Sequence, residues 1–313
     1  MLDYRGILRN IVYGLAVGDA VGVPYEFKPR AVMQNSPCVD MVGYGTHLQP
    51  KGTWSDDTSL TLCLIAGLNF KLRLMNIKGI VNNMLNWFDY GEFTPFYETF
   101  DYGGATERAI MRLKSGLSFF ECGGADEGDN GNGSLMRIAP LSLYVIEEQN
   151  IHLRYNVVRN ISSLTHRHEI SLLGCFIYVE LLYNIIKDKE KGITGDKIGY
   201  VLNTVQELLA NGYNHSAYNR VLSGDIVKIT DDEEIRSTGY VVDTLEAALY
   251  SFLTTNNYED CILRAVNLGD DTDTVAAVAG GLAGLYYDGV PEKWLNELAS
   301  RDMIDSIIRA STV

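Results

Sequence analysis

Two acidic segments, GTWSDDTSLTLCL at 52–64 and NLGDDTDTVAAVAGGLAGLYY at 267–287, each place carboxylates and hydroxyls at the start of an apolar stretch of helical length. One capping Asp, Ser or Thr serves a helix N-terminus, whose positive end tolerates some negative charge. Two or three acids at one such end exceed that need. Clustered carboxylates repel one another until a cation, a shared proton or solvent relieves them. If the fold joins the two segments, Asp56, Asp57, Asp271 and Asp273 form an oxygen-only pocket for hard divalent cations. Neither segment carries a His or Cys suited to zinc, so Mg²⁺ or Mn²⁺ is the expected ion. The alternative is that Asp56 and Asp271 are ordinary N-caps with exposed neighbours. The similar placement and composition of the two segments favours the metal pocket.

These residues need helices to position them, and the pattern supplies helices nearly throughout. Apolar residues recur three and four apart in Ile7, Leu8, Ile11, Val12 and Leu15, in Leu60, Leu64, Ile65 and Leu68, and from Val241 to Phe252. Clean period-two strands are hard to find. Turn-rich stretches lie at 24–51, 93–105, 122–134 and 189–196, and none has the composition of a long linker. A single all-α domain over 1–313, with its chemistry on loops, is the expected architecture. The apolar run 170–186 is short for a membrane span and contains Glu180, which fits a core helix.

A net charge of −14 argues against general affinity for nucleic acid or an anionic membrane surface. An anionic ligand must then be held by local donors. The five cysteines, Cys38, Cys63, Cys122, Cys175 and Cys261, are scattered, with no CxxC pair, and read as thiols of a reducing compartment. The first thirty residues lack a signal-peptide layout, so a cytoplasmic location is expected.

Gly14, Gly18 and Gly22 fall four apart on one helical face, and Ala276 to Gly284 is dense in Ala and Gly. An interior Gly costs a helix about 1 kcal/mol relative to Ala, so such faces point to close packing, here expected beneath the acidic pocket. Pro24 ends the first helix and leaves Glu26 on a loop. Asp19 reads as a structural hydrogen-bonder. Gly103-Gly104 and Asn130-Gly131-Asn132-Gly133-Ser134 are good turn sequences and equally good anion nests. Thr165-His166-Arg167-His168 precedes a helix and fits an N-terminal cap, without the spacing of a HExxH zinc site.

Taken in order, GDAVGVPYE, GTWSDDTSL, FDYGGAT, NGNGSLMRIAP, Thr165-His166 and NLGDDTDTVAAVAGGLAGLYY resemble the ADP-ribosylglycohydrolase family over about residues 5–300. The resemblance implies an orthogonal helical bundle around a dinuclear Mg²⁺ or Mn²⁺ site. It implies hydrolysis at the anomeric carbon of the distal ribose of ADP-ribose attached to an acceptor. Its metal sets fall on Ser55, Asp56 and Asp57 and on Asp271, Asp273 and Thr274. Glu26, Asp57 and Asp271 become the expected catalytic carboxylates, with Glu26 activating water. Asp101, Gly103, Gly104, Asn130, Gly131, Asn132, Gly133, Ser134, Met136 and His166 become the expected substrate contacts, with His168 left on the surface. Position 55 is Ser where many relatives have Thr, which keeps the hydroxyl. Position 270 is Asp where others often have Gly, and is not counted as a ligand.

The implied partners are an ADP-ribosylated protein or small-molecule acceptor, with ADP-ribose as product. The acceptor, whether arginine, serine or another group, stays open. Two other functions fit the same residues: a metal-dependent phosphohydrolase of a nucleotide-like substrate, and a non-catalytic, crystallin-like relative. Retention of every acidic position favours the enzyme.

Overall fold

Fifteen α-helices make up nearly all regular structure in the computed structural model, which describes residues 2–313. The first eight are α1 (Tyr4–Gly22), α2 (Arg30–Asn35), α3 (Asp56–Ile65), α4 (Ile77–Tyr90), α5 (Gly104–Lys114), α6 (Leu141–Tyr144), α7 (Ile151–Ser162) and α8 (Glu169–Glu190). The remainder are α9 (Lys197–Ala210), α10 (Asn219–Leu222), α11 (Val241–Leu253), α12 (Tyr258–Asn267), α13 (Thr272–Tyr286), α14 (Glu292–Leu295) and α15 (Arg301–Ser311). Strands β1 (Leu68–Asn69) and β2 (Leu74–Met75) form one short antiparallel pair. The all-α class read from the sequence holds. The short α2 inside the turn-rich 24–51 stretch was not expected; Pro29 precedes it and it runs only six residues.

The two glycine-bearing helices meet. A Cβ on Gly14 would sit 2.2 Å from the Gly280 carbonyl oxygen, and one on Gly18 would sit 2.1 Å from that of Ala276. At Gly22 it would lie 2.3 Å from the Cα of Asp273. Only hydrogen at these positions allows α1 and α13 to touch backbone to backbone, and the contact runs to the first turn of α13, where the second acidic segment begins. Helix propensity is given up here for placement of Asp273.

Helix α8 runs through the core and is buried over 89% of its most apolar window. Both α8 and the 4–25 segment are long and apolar enough to cross a membrane, but most of each is packed against the fold. Glu180 in α8 is 1% exposed and is met by two nitrogens of the buried Arg154, Nε at 2.8 Å and Nη2 at 2.5 Å. That bidentate pairing explains how a carboxylate sits inside an apolar helix. All five cysteines are buried and free.

Candidate active site

Asp19 connects α1 to the first acidic segment. Fully buried, it accepts from the backbone N–H of Ser55 at 2.9 Å, and from Thr58 N–H at 3.1 Å and Thr58 Oγ1 at 2.6 Å. These bonds seat the N-terminus of α3, and they confirm Asp19 as a structural hydrogen-bonder. Ser55, not Asp56, is the N-cap: its Oγ accepts from Asp57 N–H at 3.2 Å and donates to Asp57 Oδ2 at 3.0 Å. Thr274 of α13 donates to the same Asp57 oxygen at 3.3 Å. The two acidic segments, far apart in sequence, therefore converge at Asp57.

From there a ladder of acids runs outward. One oxygen each from Asp19, Asp57 and Asp273 lies within 4.8 Å of the others, as do oxygens of Glu26, Asp271 and Asp273. Asp273 belongs to both groups. Asp57 Oδ1, Asp271 Oδ1 and both oxygens of Asp273 are buried with no hydrogen-bond partner. Buried polar atoms are nearly always paired, so four orphans in one cluster single out these acids as a group that could hold a cation. The donor set is all oxygen, which fits a hard divalent ion. Asp271 caps α13 without a side-chain cap bond. Its Oδ2 accepts instead from Asn132 Nδ2 at 2.9 Å.

Burial and mutual repulsion raise these carboxyls. Burial first, then the Asp273 charge, pushes Asp271 up to about 7 and Glu26 up to about 8, the latter against the pull of His47. Burial and then the Asp273 charge raise Asp56 well above the usual carboxylate range and raise Asp101 with it, while at Asp57 burial is followed by the Asp19 charge and then by that of Asp273. Unfolded carboxylates ionise near about 4. Between roughly pH 4 and 8 the folded, metal-free protein keeps protons that the unfolded chain has released, so its stability falls as pH rises through that window. In chelator, the melting temperature is expected to be lower at pH 8 than at pH 5, and Asp273→Asn should flatten the slope. A slope that Asp273→Asn leaves unchanged places the repulsion elsewhere.

Glu26 follows a 3-10 turn at Val23–Tyr25 and is 5% exposed, as an acid facing inward must be if it serves the site. A tight loop at 44–49 holds it. Thr46 Oγ1 donates to the Glu26 carbonyl at 2.7 Å, and His47 Nε2 bonds its carboxylate and lies 3.6 Å from Asp101 Oδ1. The His47 ring lies between Phe27 and Phe100, at 6.0 and 5.2 Å between centroids. Sequence reasoning missed His47. A lone His in a turn-rich stretch has no periodicity, and its nearness to GTWSDDT is the only signal it carries.

A cleft of about 450 Å³ opens onto this acidic end, lined among others by Glu26, Asp56, Asp101, Asp271 and Thr274. Gly103, Gly104, Gly131, Asn132, Gly133, Met136 and His166, all expected contacts, line the same cleft. Asn130 and Ser134 lie beside them, but their side chains turn to the core, toward Ser171 at 2.9 Å and Cys175 at 3.3 Å. The Asn132 N–H is taken by the Gly239 carbonyl, which ties the loop to the start of α11. Among the described residues the Gly131 and Gly133 N–H groups have no backbone acceptor, so the Asn132 N–H is the one this tie removes from the nest at those three cleft-lining positions. Gly133 is not in the left-handed region. Its space is filled instead by His166 and Thr106, each 2.9 Å from where a Cβ would be. Arg108, also overlooked, lies on the wall and donates to Asp129 at 2.7 Å.

His166 is 1% exposed, and burial followed by the Arg137 charge pulls its imidazole down to about 3. His168 caps α8, its Nδ1 accepting from Ile170 N–H at 3.3 Å. Asp270 is exposed with φ of 58°, a conformation that favours glycine. A larger hollow of about 1010 Å³ holds Arg220 and Lys228, each already paired with an acid, and none of the unpaired carboxylate oxygens.

The sequence model described as ADP-ribosylglycohydrolase matches residues 2–312. The chain belongs to the ADP-ribosylglycohydrolase family. It is 33% identical over 304 residues to "ADP-ribosylarginine hydrolase Tri1" of Serratia proteamaculans, covering 96% of this chain and 77% of that one. It is 27% identical to "ADP-ribosyl-[dinitrogen reductase] glycohydrolase" of Rhodospirillum rubrum, covering 91% and 87%. A solved structure titled "ADP-ribosylglycohydrolase-related protein complex" superposes with a TM-score of 0.78 at 31% identity, over 99% of this chain and 98% of that one. The family resemblance read from six motifs over about residues 5–300 thus extends over residues 2–312.

Proposed function

We propose that this ADP-ribosylglycohydrolase-family protein hydrolyses the bond between an acceptor and the anomeric carbon of the distal ribose of ADP-ribose, with modified arginine as the acceptor class. The observation that carries this is the cluster of unpaired carboxylate oxygens on Asp57, Asp271 and Asp273, which meets a glycine-lined cleft at Asp271. A cleft of about 450 Å³ is of the size that takes a small ligand. Arginine is supported by the names of the relatives at 33% identity, and by the carboxylates of Glu26 and Asp101 in that cleft, which complement a guanidinium.

Ser55, Asp56, Asp57, Asp271, Asp273 and Thr274 would hold two Mg²⁺ or Mn²⁺ ions. Bound there, the ions supply positive charge that offsets the acids and polarises the ribose hydroxyls and a water. Glu26 takes the proton of the attacking water as the new C–O bond forms; the acceptor's C–N bond breaks with its electron pair going to nitrogen, and the neutral guanidine so released takes up the proton held on Glu26. His47 and Thr46 hold Glu26 in place for that transfer. Asp271, which lines the cleft, stabilises the positive charge that develops on the sugar, as carboxylates do in glycosidases, and Asp57 behind it acts through the ions it would hold. The Gly131 and Gly133 N–H groups, His166 and Arg108 face the diphosphate. A crystallin-like role needs none of these unpaired acids, whose burial destabilises the fold without a cation.

The test is a panel of defined ADP-ribosylated acceptors assayed with Mg²⁺ or Mn²⁺. Release from arginine and not from serine is expected. Release from serine alone reassigns the acceptor, and tight ADP-ribose binding with no release from any acceptor makes the protein a non-catalytic relative.

A further inference from the structure

Arg137 has no role in that chemistry, yet it is a cation only 1% exposed. Its guanidinium donates to the Gly133 carbonyl, to the Ile161 carbonyl at 3.4 Å and to Thr165 Oγ1 at 2.7 Å, and among the described residues no carboxylate bonds it. Thr165 is fully buried, and its Oγ1 lies 2.7 Å from His166 Nδ1. These contacts fix the direction of every proton. Arg137 can only donate, so Thr165 Oγ1 accepts from it. If Nδ1–H also donated to that oxygen, the Thr165 hydroxyl hydrogen would be buried with no acceptor, which buried donors rarely are. The hydroxyl therefore donates to Nδ1, and the ring proton sits on Nε2.

Nε2 is the atom that matters to a ligand. Among the described residues it bonds no protein group. Glycine at 131 and 133 leaves it uncovered, since Cβ atoms there would lie 3.6 and 3.5 Å from it. We propose that Arg137 and Thr165 are positioning residues that set the His166 tautomer, so that Nε2–H is presented to the diphosphate as a fixed donor. The opposite tautomer would turn a lone pair toward phosphate oxygens. Burial and Arg137 keep the ring uncharged, with Arg108 adding to that effect and Asp129 opposing it. An acidic protein thereby gains a donor facing the cleft without a mobile surface cation. The ligand half of this inference rests on the ADP-ribose reading of the cleft, and the tautomer half does not.

Long-range ¹H–¹⁵N spectra of ¹⁵N-histidine-labelled protein, with His166→Gln to assign the signal, read the tautomer directly. The wild type should show Nε2–H from pH 5.5 to 8. Thr165→Val should mix the tautomers and weaken ADP-ribose binding about tenfold by calorimetry, and Thr165→Ser should restore both. An Nδ1–H signal in the wild type, or a ring that titrates in that range, overturns the proposal. So does a folded Thr165→Val protein with unchanged tautomer and affinity. Nε2–H in a wild type that fails to bind ADP-ribose would support the tautomer relay and overturn the diphosphate as its target.

Discussion

Asp273→Asn is expected to remove turnover almost entirely, by well over the roughly 100-fold that loss of a metal site's supporting groups costs. Asp273 stands in both groups of close carboxylates, and neither of its oxygens has a partner in the protein. An amide keeps the shape, loses the charge and offers a metal one neutral oxygen. The same substitution should have the opposite effect on the metal-free fold. After burial, its charge is the largest cause of the upward shifts at Glu26, Asp56, Asp101 and Asp271, and at Asp57 it follows burial and the Asp19 charge, so its removal relieves a buried repulsion and should raise the melting temperature in chelator. Added Mg²⁺ should stabilise the wild type and leave the variant unmoved, as binding to the folded state alone requires. A variant that still gains stability from Mg²⁺ and still turns over would show that the ions sit elsewhere.

Glu26→Gln is the second large effect, and it separates proton transfer from binding. The amide is nearly isosteric, and its oxygen can still accept from His47, so the 44–49 loop should stay in place. It cannot take a proton from water at neutral pH. We expect kcat to fall about 10²–10⁴-fold while ADP-ribose affinity and stabilisation by Mg²⁺ stay near wild type. Stopped-flow turnover beside calorimetry on the same preparation checks both halves. Near wild-type kcat excludes Glu26 as the base.

Much of this was legible in sequence because its physics is local. Helices α1, α3 and α11 follow from apolar spacing, and the excess of acids at 55–57 and 271–273 over capping needs was visible without a fold. The glycines at 14, 18 and 22 announced a close contact, but only the structure shows that their partner is α13 and that Gly22 abuts Asp273 itself. What stayed hidden depends on contacts across the chain. His47 acts through Glu26, 21 positions away, and Arg137 through Thr165, 28 positions away. Asn130 and Ser134 were read as cleft wall along with their neighbours. Within that turn, Gly131, Asn132 and Gly133 face the ligand side, while those two side chains pack inward on α8.

Hydrolysis of ADP-ribosylated arginine in ¹⁸O-water, followed by mass spectrometry of the products, asks directly which bond is cut. Attack at the anomeric carbon predicts intact ADP-ribose bearing one ¹⁸O on the distal ribose, with arginine released unlabelled and no product in chelator. Recovery of AMP, with the label on a phosphate, would contradict it and identify a metal-dependent phosphohydrolase instead.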